Sequence, residues 1–250
     1  MYIVSDVHGA HEALANLAPE GSTVLVLGDL VNLVDYRTNE GIVTDVVGMD
    51  LVRRVVDLRT QHRFDEASAL WREENAARYD EISERVGAAM RDEYEAVARS
   101  LARYVAFVTF GNVDDPPMLQ ETLPSSATFV DAEVVEIDGY SVGFAGGGVP
   151  SIGSAGEVTA EEMESKLSTL GPVDILCTHV PPAVGVLASD VIGGRAKGST
   201  PVLEYVLRER PAFHYFGDVH QPTALRWRVG ETVCVNVSYF RATGRGIEHG

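Results

Sequence analysis

Five short apolar runs in this sequence break off in the same way, into a polar loop that carries Asp, Asn or His. Tyr2–Val4 leads into Ser5-Asp6-Val7-His8-Gly9, and Thr23–Leu27 into Gly28-Asp29-Leu30-Val31-Asn32. Tyr104–Phe110 leads into Gly111-Asn112-Val113-Asp114-Asp115. Val173–Cys177 leads into Thr178-His179-Val180-Pro181-Pro182, and Ala212–Phe216 into Gly217-Asp218-Val219-His220-Gln221-Pro222. Short continuous apolar runs mark strands buried on both faces, the kind a parallel sheet contains. Such sheets bind ligands in the crevice beyond the carboxyl ends of their strands. A chain built this way is constrained to an α/β fold that can bring polar groups from all five runs to one spot.

The segments between the runs fit that class. Residues 10–18, 49–60, 64–102, 159–169 and 200–209 carry helical patterning. Thr159 followed by Glu162 is a capping box. Residues 127–149 read as two or three strands turning at Asp138-Gly139, and 223–240 as a hairpin turning at Gly230-Glu231. Within 64–102, Ile82, Val86, Met90, Tyr94, Val97 and Leu101 share one face. Glu74/Arg78, Glu81/Arg85 and Glu95/Arg99 pair four residues apart along it. This is a solvated amphipathic helix that packs on the core; a lid or an oligomer surface stays open as its further role. Without repeats or low-complexity tracts, the 250 residues are expected to form one domain, 1–250, with a helical insertion at about 49–102.

The loops deliver Asp6, His8, Asp29, Asn112, His179, Asp218 and His220. This set of oxygens and imidazoles, with no thiolate, suits Mn²⁺, Fe or Zn²⁺. It is too large for one tetrahedral ion and suits two ions sharing a carboxylate. In an extended segment alternate side chains point the same way, so Asp6 with His8, and Asp218 with His220, can each reach one ion. Glycine before Asp29, Asn112 and Asp218 permits a sharp turn out of the strand. Asn32 is expected to orient the Asp29 turn, and His11 to lie behind the site or on the surface. The two cysteines, Cys177 and Cys234, sit in apolar runs and read as buried thiols, which excludes a disulfide framework and a cysteine zinc site. Gly193–Ser199 precedes a helix start, where backbone N–H groups favour anions, and Arg195 and Lys197 would add charge there. Gly146-Gly147-Gly148 makes neither a Walker A nor a dinucleotide-binding motif, and reads as a loop near the site.

In order, the motifs are Asp-x-His, Gly-Asp-x-x-Asn, Gly-Asn-x-Asp, Thr-His-x-Pro-Pro and Gly-x-x-His-x-Pro. Together, from Asp6 to Pro222, they resemble the calcineurin-like metallophosphoesterases. The resemblance implies a four-layer αββα sandwich and hydrolysis of a phosphodiester or phosphomonoester at a two-metal site. It implies that Asp6, His8, Asp29 and His220 hold the first ion, with Asp29 bridging. Asn112, His179 and Asp218 would hold the second. Asp29, Asn112 and His179 are then the residues expected to carry the reaction, and Asn112, Arg195 and Lys197 those expected to contact phosphate.

Two positions depart from the family pattern. Asp218 stands where most members have His, which should favour a harder ion such as Mn²⁺ or Mg²⁺. Val113 stands where many have a proton-donating His, which implies a preference for good leaving groups. These departures keep a second reading open, that of a scaffold with the same fold and weak or absent turnover.

The net charge of −17 counts against a polynucleotide substrate, because no basic cluster gathers on one segment. Arg226, Arg228, Arg241 and Arg245 are expected to be a solvated strand face. A nuclease is therefore the third reading. No stretch reaches the 18 or so apolar residues of a membrane span, and no leader is recognisable, so a cytoplasmic protein acting on a small phosphate ester is expected.

Overall fold

The computed structural model describes residues 1–191, 197–237 and 239–250. Arg195, and with it most of the Gly193–Ser199 loop, lies outside the described residues. The five apolar runs become the strands β1 (Tyr2–Val4), β2 (Thr23–Leu27), β3 (Val105–Thr109), β7 (Ile175–Thr178) and β8 (Phe213–Phe216). They divide between two sheets. The first has the order β11-β1-β2-β3-β4, with β4 at Ala127–Phe129 and β11 at Ile247–Glu248. The second has the order β5-β6-β7-β8-β10-β9. In it β5 is Glu133–Ile137, β6 Tyr140–Ala145, β9 Arg226–Val229 and β10 Thr232–Asn236. β1, β2, β3 and β4 run parallel, as do β6, β7, β8 and β10. Parallel pairing explains the continuous apolar runs, since both faces of each sheet are covered.

Three separate apolar clusters fix four layers. Ile3, Leu25 and Leu27 of the first sheet meet Val142, Phe144, Ile175 and Tyr215 of the second, so the sheets pack face to face. On the outer face of the first sheet, Val4, Val24 and Val108 meet Leu14, Tyr94, Val97, Leu101 and Leu119. These come from α1 (His11–Leu14), α5 (Tyr79–Leu101) and α6 (Pro116–Thr122). On the outer face of the second sheet, Leu176 and Phe216 meet Met163, Leu167, Val202 and Val206 of α7 (Ala160–Leu170) and α9 (Thr200–Glu209). The architecture is an αββα sandwich, as the family resemblance implied.

The helical insertion comprises α3 (Met49–Thr60), α4 (Phe64–Asn75) and α5, preceded by a short α2 (Ile42–Val47) that the sequence pattern did not show. The expected continuous helix over 64–102 is interrupted by a 3₁₀ turn at Ala76–Arg78. Glu74 consequently does not pair with Arg78. It reaches Arg54 on α3 at 2.9 Å, while Arg78 turns to Glu81 at 2.9 Å. The Glu81–Arg85 and Glu95–Arg99 pairs form as expected, at 3.6 and 3.9 Å. The helix expected over 10–18 ends already at Leu14. The capping box on α7 is present, with Thr159 and Glu162 each bonded to the other's backbone N–H. Two short helices, α8 (Gly185–Ala188) and α10 (Phe240–Thr243), complete the chain.

The C-terminal segment does more than close a hairpin. Phe240 and Arg241 donate their backbone N–H groups to Ser5 and Asp6 carbonyls at 3.2 and 3.1 Å. Arg241 also bonds the His8 carbonyl and lies 3.8 Å from Asp35. It is a half-buried brace and not the solvated residue expected, whereas Arg226, Arg228 and Arg245 are exposed. Among the described residues no helix is long and apolar enough to cross a membrane.

Candidate metal centre

The carboxyl ends of β1, β2 and β3 in one sheet and of β7 and β8 in the other meet at one edge of the sandwich. The loops leaving them bring Asp6, His8, Asp29, Asn112, His179, Asp218 and His220 together. Asp6, Asp29 and Asp218 are almost fully buried, at 1, 3 and 2% exposure. Three buried carboxylates this close are tolerable only beside cationic groups.

The histidines fix their own tautomers. His8 Nδ1 lies 3.1 Å from the Val31 carbonyl, and His179 Nδ1 2.9 Å from the Leu27 carbonyl. A carbonyl only accepts, so both Nδ1 atoms carry the proton, and in the neutral ring both Nε2 lone pairs face the carboxylates. His8 Nε2 is buried with no hydrogen-bond partner, 3.6 Å from Asp29 Oδ2 and 3.8 Å from Asp6 Oδ1. His179 Nε2 lies 3.4 Å from Asp29 Oδ2, 3.3 Å from Asn112 Oδ1 and 4.0 Å from Asp218 Oδ1. His220 Nε2 lies 3.2 Å from Asp6 Oδ1. Asp29 Oδ2 thus stands between His8 and His179, while its Oδ1 accepts the Val113 N–H at 3.1 Å.

Two sets have ligand atoms close enough to surround one cation: Asp6, His8 and His220, and Asp6, Asp29 and His179. The unpartnered His8 Nε2 and the oxygen and imidazole chemistry fit a divalent metal ion. Asp218 belongs to neither set among the described residues. Its carboxylate takes the Lys197 ammonium at 2.6 Å.

The electrostatics follow from burial and charge together. Burial pushes the Asp6 carboxyl up, but the bond from His220 and the nearby His8 and His179 imidazoles outweigh it and hold the group well below the usual carboxylate range. Burial disfavours a charged His179, yet Asp29, Asp218 and Asp6 overrule it and push its imidazole up to about 10. In the metal-free chain that imidazolium neutralises the carboxylates.

Local backbone geometry marks the same residues. Asp6, His8, Asp29 and Asp218 have φ of 57, 41, 55 and 62°, in the left-handed region that non-glycine residues rarely occupy. Of the glycines before Asp29, Asn112 and Asp218, only Gly28 has a positive φ, of 100°; Gly111 and Gly217 are required by close approach and not, as expected, by a turn. A Cβ on Gly111 would strike Asp29 Oδ1 and His179, and one on Gly217 would strike Ser5 and Asp6 Oδ2. Gly148 likewise lets the glycine-rich loop lie against Asn112, which places that loop beside the centre as expected.

Three supporting residues escaped the sequence reading. Asp114 accepts from Asp29 N–H at 2.7 Å, Gly111 N–H at 2.8 Å, Leu30 N–H at 3.0 Å and the Tyr94 hydroxyl at 3.1 Å. It clamps the β2 and β3 loops to each other and to α5. Burial and the charge of Asp29 push its carboxyl up to about 6. Glu93, one residue before Tyr94, accepts the Asn32 N–H at 2.7 Å, so the insertion helix holds two turns of the site. Tyr239 stacks on His220 with ring centroids 3.9 Å apart. The Asp that ends Gly-Asn-x-Asp was the one available signal for Asp114. Val113 packs toward the helix-side cluster and offers no proton. His11 is half-buried, with Nδ1 2.9 Å from the Gly9 carbonyl.

No protein-family model and no curated protein matches the sequence. Solved structures do resemble the fold. One crystal structure superposes with a TM-score of 0.62 at 14% identity, over 96% of this chain and 90% of that one. Another, TT1561 of Thermus thermophilus, superposes with a TM-score of 0.52 at 14% identity, over 96% and 89%. At such identity the likeness bears on fold alone.

Proposed function

We propose that the protein is a metal-dependent phosphoesterase that hydrolyses a small phosphodiester or phosphomonoester. The observation that carries this reading is the pair of ligand sets sharing the buried Asp6, each pointing an imidazole Nε2 at carboxylate oxygens. Asp6, His8 and His220 would hold one divalent ion, Mn²⁺ foremost, and Asp29 and His179, with Asp6 or the nearby Asp218, would hold a second. When bound, such ions lower the pKa of a coordinated water and neutralise the charge of the phosphoryl group. The chain's own residues do the rest. Asp6, His8, Asp29, His179 and His220 supply ligand atoms. Asn112, 3.3 Å from His179, supplies an amide toward the same space and with it a contact for a phosphoryl oxygen. Lys197 supplies a cation at the rim, with its side chain 33% exposed. Val113 supplies no leaving-group proton, so substrates with good leaving groups are expected to turn over fastest.

The test is hydrolysis of bis(4-nitrophenyl) phosphate by metal-stripped protein, with Mn²⁺, Mg²⁺ and Zn²⁺ returned in turn and Asp29→Asn as control. Metal-dependent turnover that disappears in the control supports the reading. Folded, metal-loaded protein with no turnover on mono- or diesters would point to a scaffold on this fold.

A further inference from the structure

Asp218 is the candidate ligand whose carboxylate already has a cation. Lys197 Nζ lies 2.6 Å from Asp218 Oδ1 and 2.9 Å from the Asp218 carbonyl. The same Oδ1 is 4.0 Å from His179 Nε2, which also faces Asp29 Oδ2 and Asn112 Oδ1. A divalent ion among those four groups would sit about 2.0–2.2 Å from a ligating Asp218 oxygen. An ammonium held on that oxygen competes for the same lone pairs and repels the ion through a low-dielectric space. The other position differs. Asp6, His8 and His220 meet without the lysine, whose ammonium bonds among the described residues go to Asp218. Lys197 also has a way out. Its side chain is 33% exposed, whereas that of Asp218 is 3%.

We propose that Lys197 is a built-in competitor of the second divalent ion. It closes on Asp218 while only the Asp6–His8–His220 position is filled, and swings toward solvent when an ion takes the carboxylate. This rests on the reading that the centre holds divalent ions. It makes the two positions unequal in affinity. It also hands a tethered ammonium to the rim of the site at the moment the second ion arrives, where a phosphate ester would meet it.

The experiment is calorimetric titration of Mn²⁺ into metal-stripped full-length protein, with bound metal counted by mass spectrometry. Wild type is compared with Lys197→Met and Lys197→Arg, each checked for native circular dichroism. Wild type is expected to bind a first ion tightly and a second at least about tenfold more weakly, a difference of about 1.4 kcal/mol. Lys197→Met should tighten the second ion about tenfold and leave the first unchanged, and Lys197→Arg should behave as wild type. Equal affinities in wild type, or a second ion no tighter in Lys197→Met, would overturn the proposal. Ions bound as described but without turnover would overturn the phosphoesterase reading and leave this one standing.

Discussion

The ring of His220 lies flat on that of Tyr239, with centroids 3.9 Å apart and 4° between planes. The Tyr239 hydroxyl donates to Asp35 Oδ2 at 3.3 Å, and the Arg37 guanidinium covers the ring at 4.6 Å. His220 is the most exposed of the three candidate ligand histidines, so this stack is what fixes its orientation. Removing residues that orient a ligand typically costs 10–100-fold in metal affinity. Tyr239→Leu is expected to weaken the first ion about tenfold, and Tyr239→Phe to stay near wild type because the stack survives. Calorimetric titration with Mn²⁺ checks both.

Asp114 predicts a stability effect. Asp114→Ala leaves the N–H groups of Asp29, Leu30 and Gly111 and the Tyr94 hydroxyl without their acceptor in a buried place. At about 1–3 kcal/mol for each of these four stranded buried groups, a loss of at least about 4 kcal/mol is expected. Asp114→Asn should lose less, since one oxygen remains to accept. Urea unfolding of the metal-free proteins measures it.

Metal binding should release protons. His179 is held charged in the metal-free chain, with its pKa pushed up to about 10, and Nε2 must lose its proton to ligate. Below pH 10 the affinity should therefore fall as pH falls, toward tenfold per unit when one proton is released. Titration in two buffers of different ionisation heat counts the protons. Zero release at pH 7 would mean that His179 does not ligate.

A second histidine predicts acid sensitivity. His214 is fully buried, and Thr178 Oγ1 donates to the Val180 carbonyl at 2.6 Å, so it must accept from His214 Nε2 at 2.8 Å. That leaves His214 Nδ1 unprotonated, buried and without a partner. Burial pushes its pKa from 6.5 down to about 3. A depressed folded pKa means that the unfolded chain takes up the proton first. The stabilisation is complete above pH 6.5 and lost as pH falls toward 3, on the order of 5 kcal/mol in all. His214→Gln, which keeps a donor but does not titrate, should flatten that part of the difference in urea midpoints between pH 7 and pH 4.

The strands and their loops were legible because a buried parallel strand writes itself as a local apolar run. β1 and β2 match their runs residue for residue, as do α3 and α9 theirs. Asp6, His8, Asp29, His179 and His220 were legible for the same reason, each standing directly after such a run. What stayed hidden depends on distant parts meeting. Tyr239 and Arg241 reach the Asp6–His8 loop from more than 200 residues away, and no local period encodes that return. Asp114 was visible as a motif letter, but its four donors come from three elements. The break at Ala76–Arg78 replaced one expected ion pair with a contact between helices, which periodicity along one helix cannot show.

The left-handed backbone at Asp6, Asp29 and Asp218 also bears on how such a site decays over generations. Asp, Asn and Gly tolerate that conformation far better than other residues. Drift away from chemistry is therefore channelled. The first acceptable replacements keep the loop and discard the charge, so a descendant that has lost its ions would retain the sandwich and carry Asn or Gly at these three positions. The backbone would preserve the outline of the site after its function had gone.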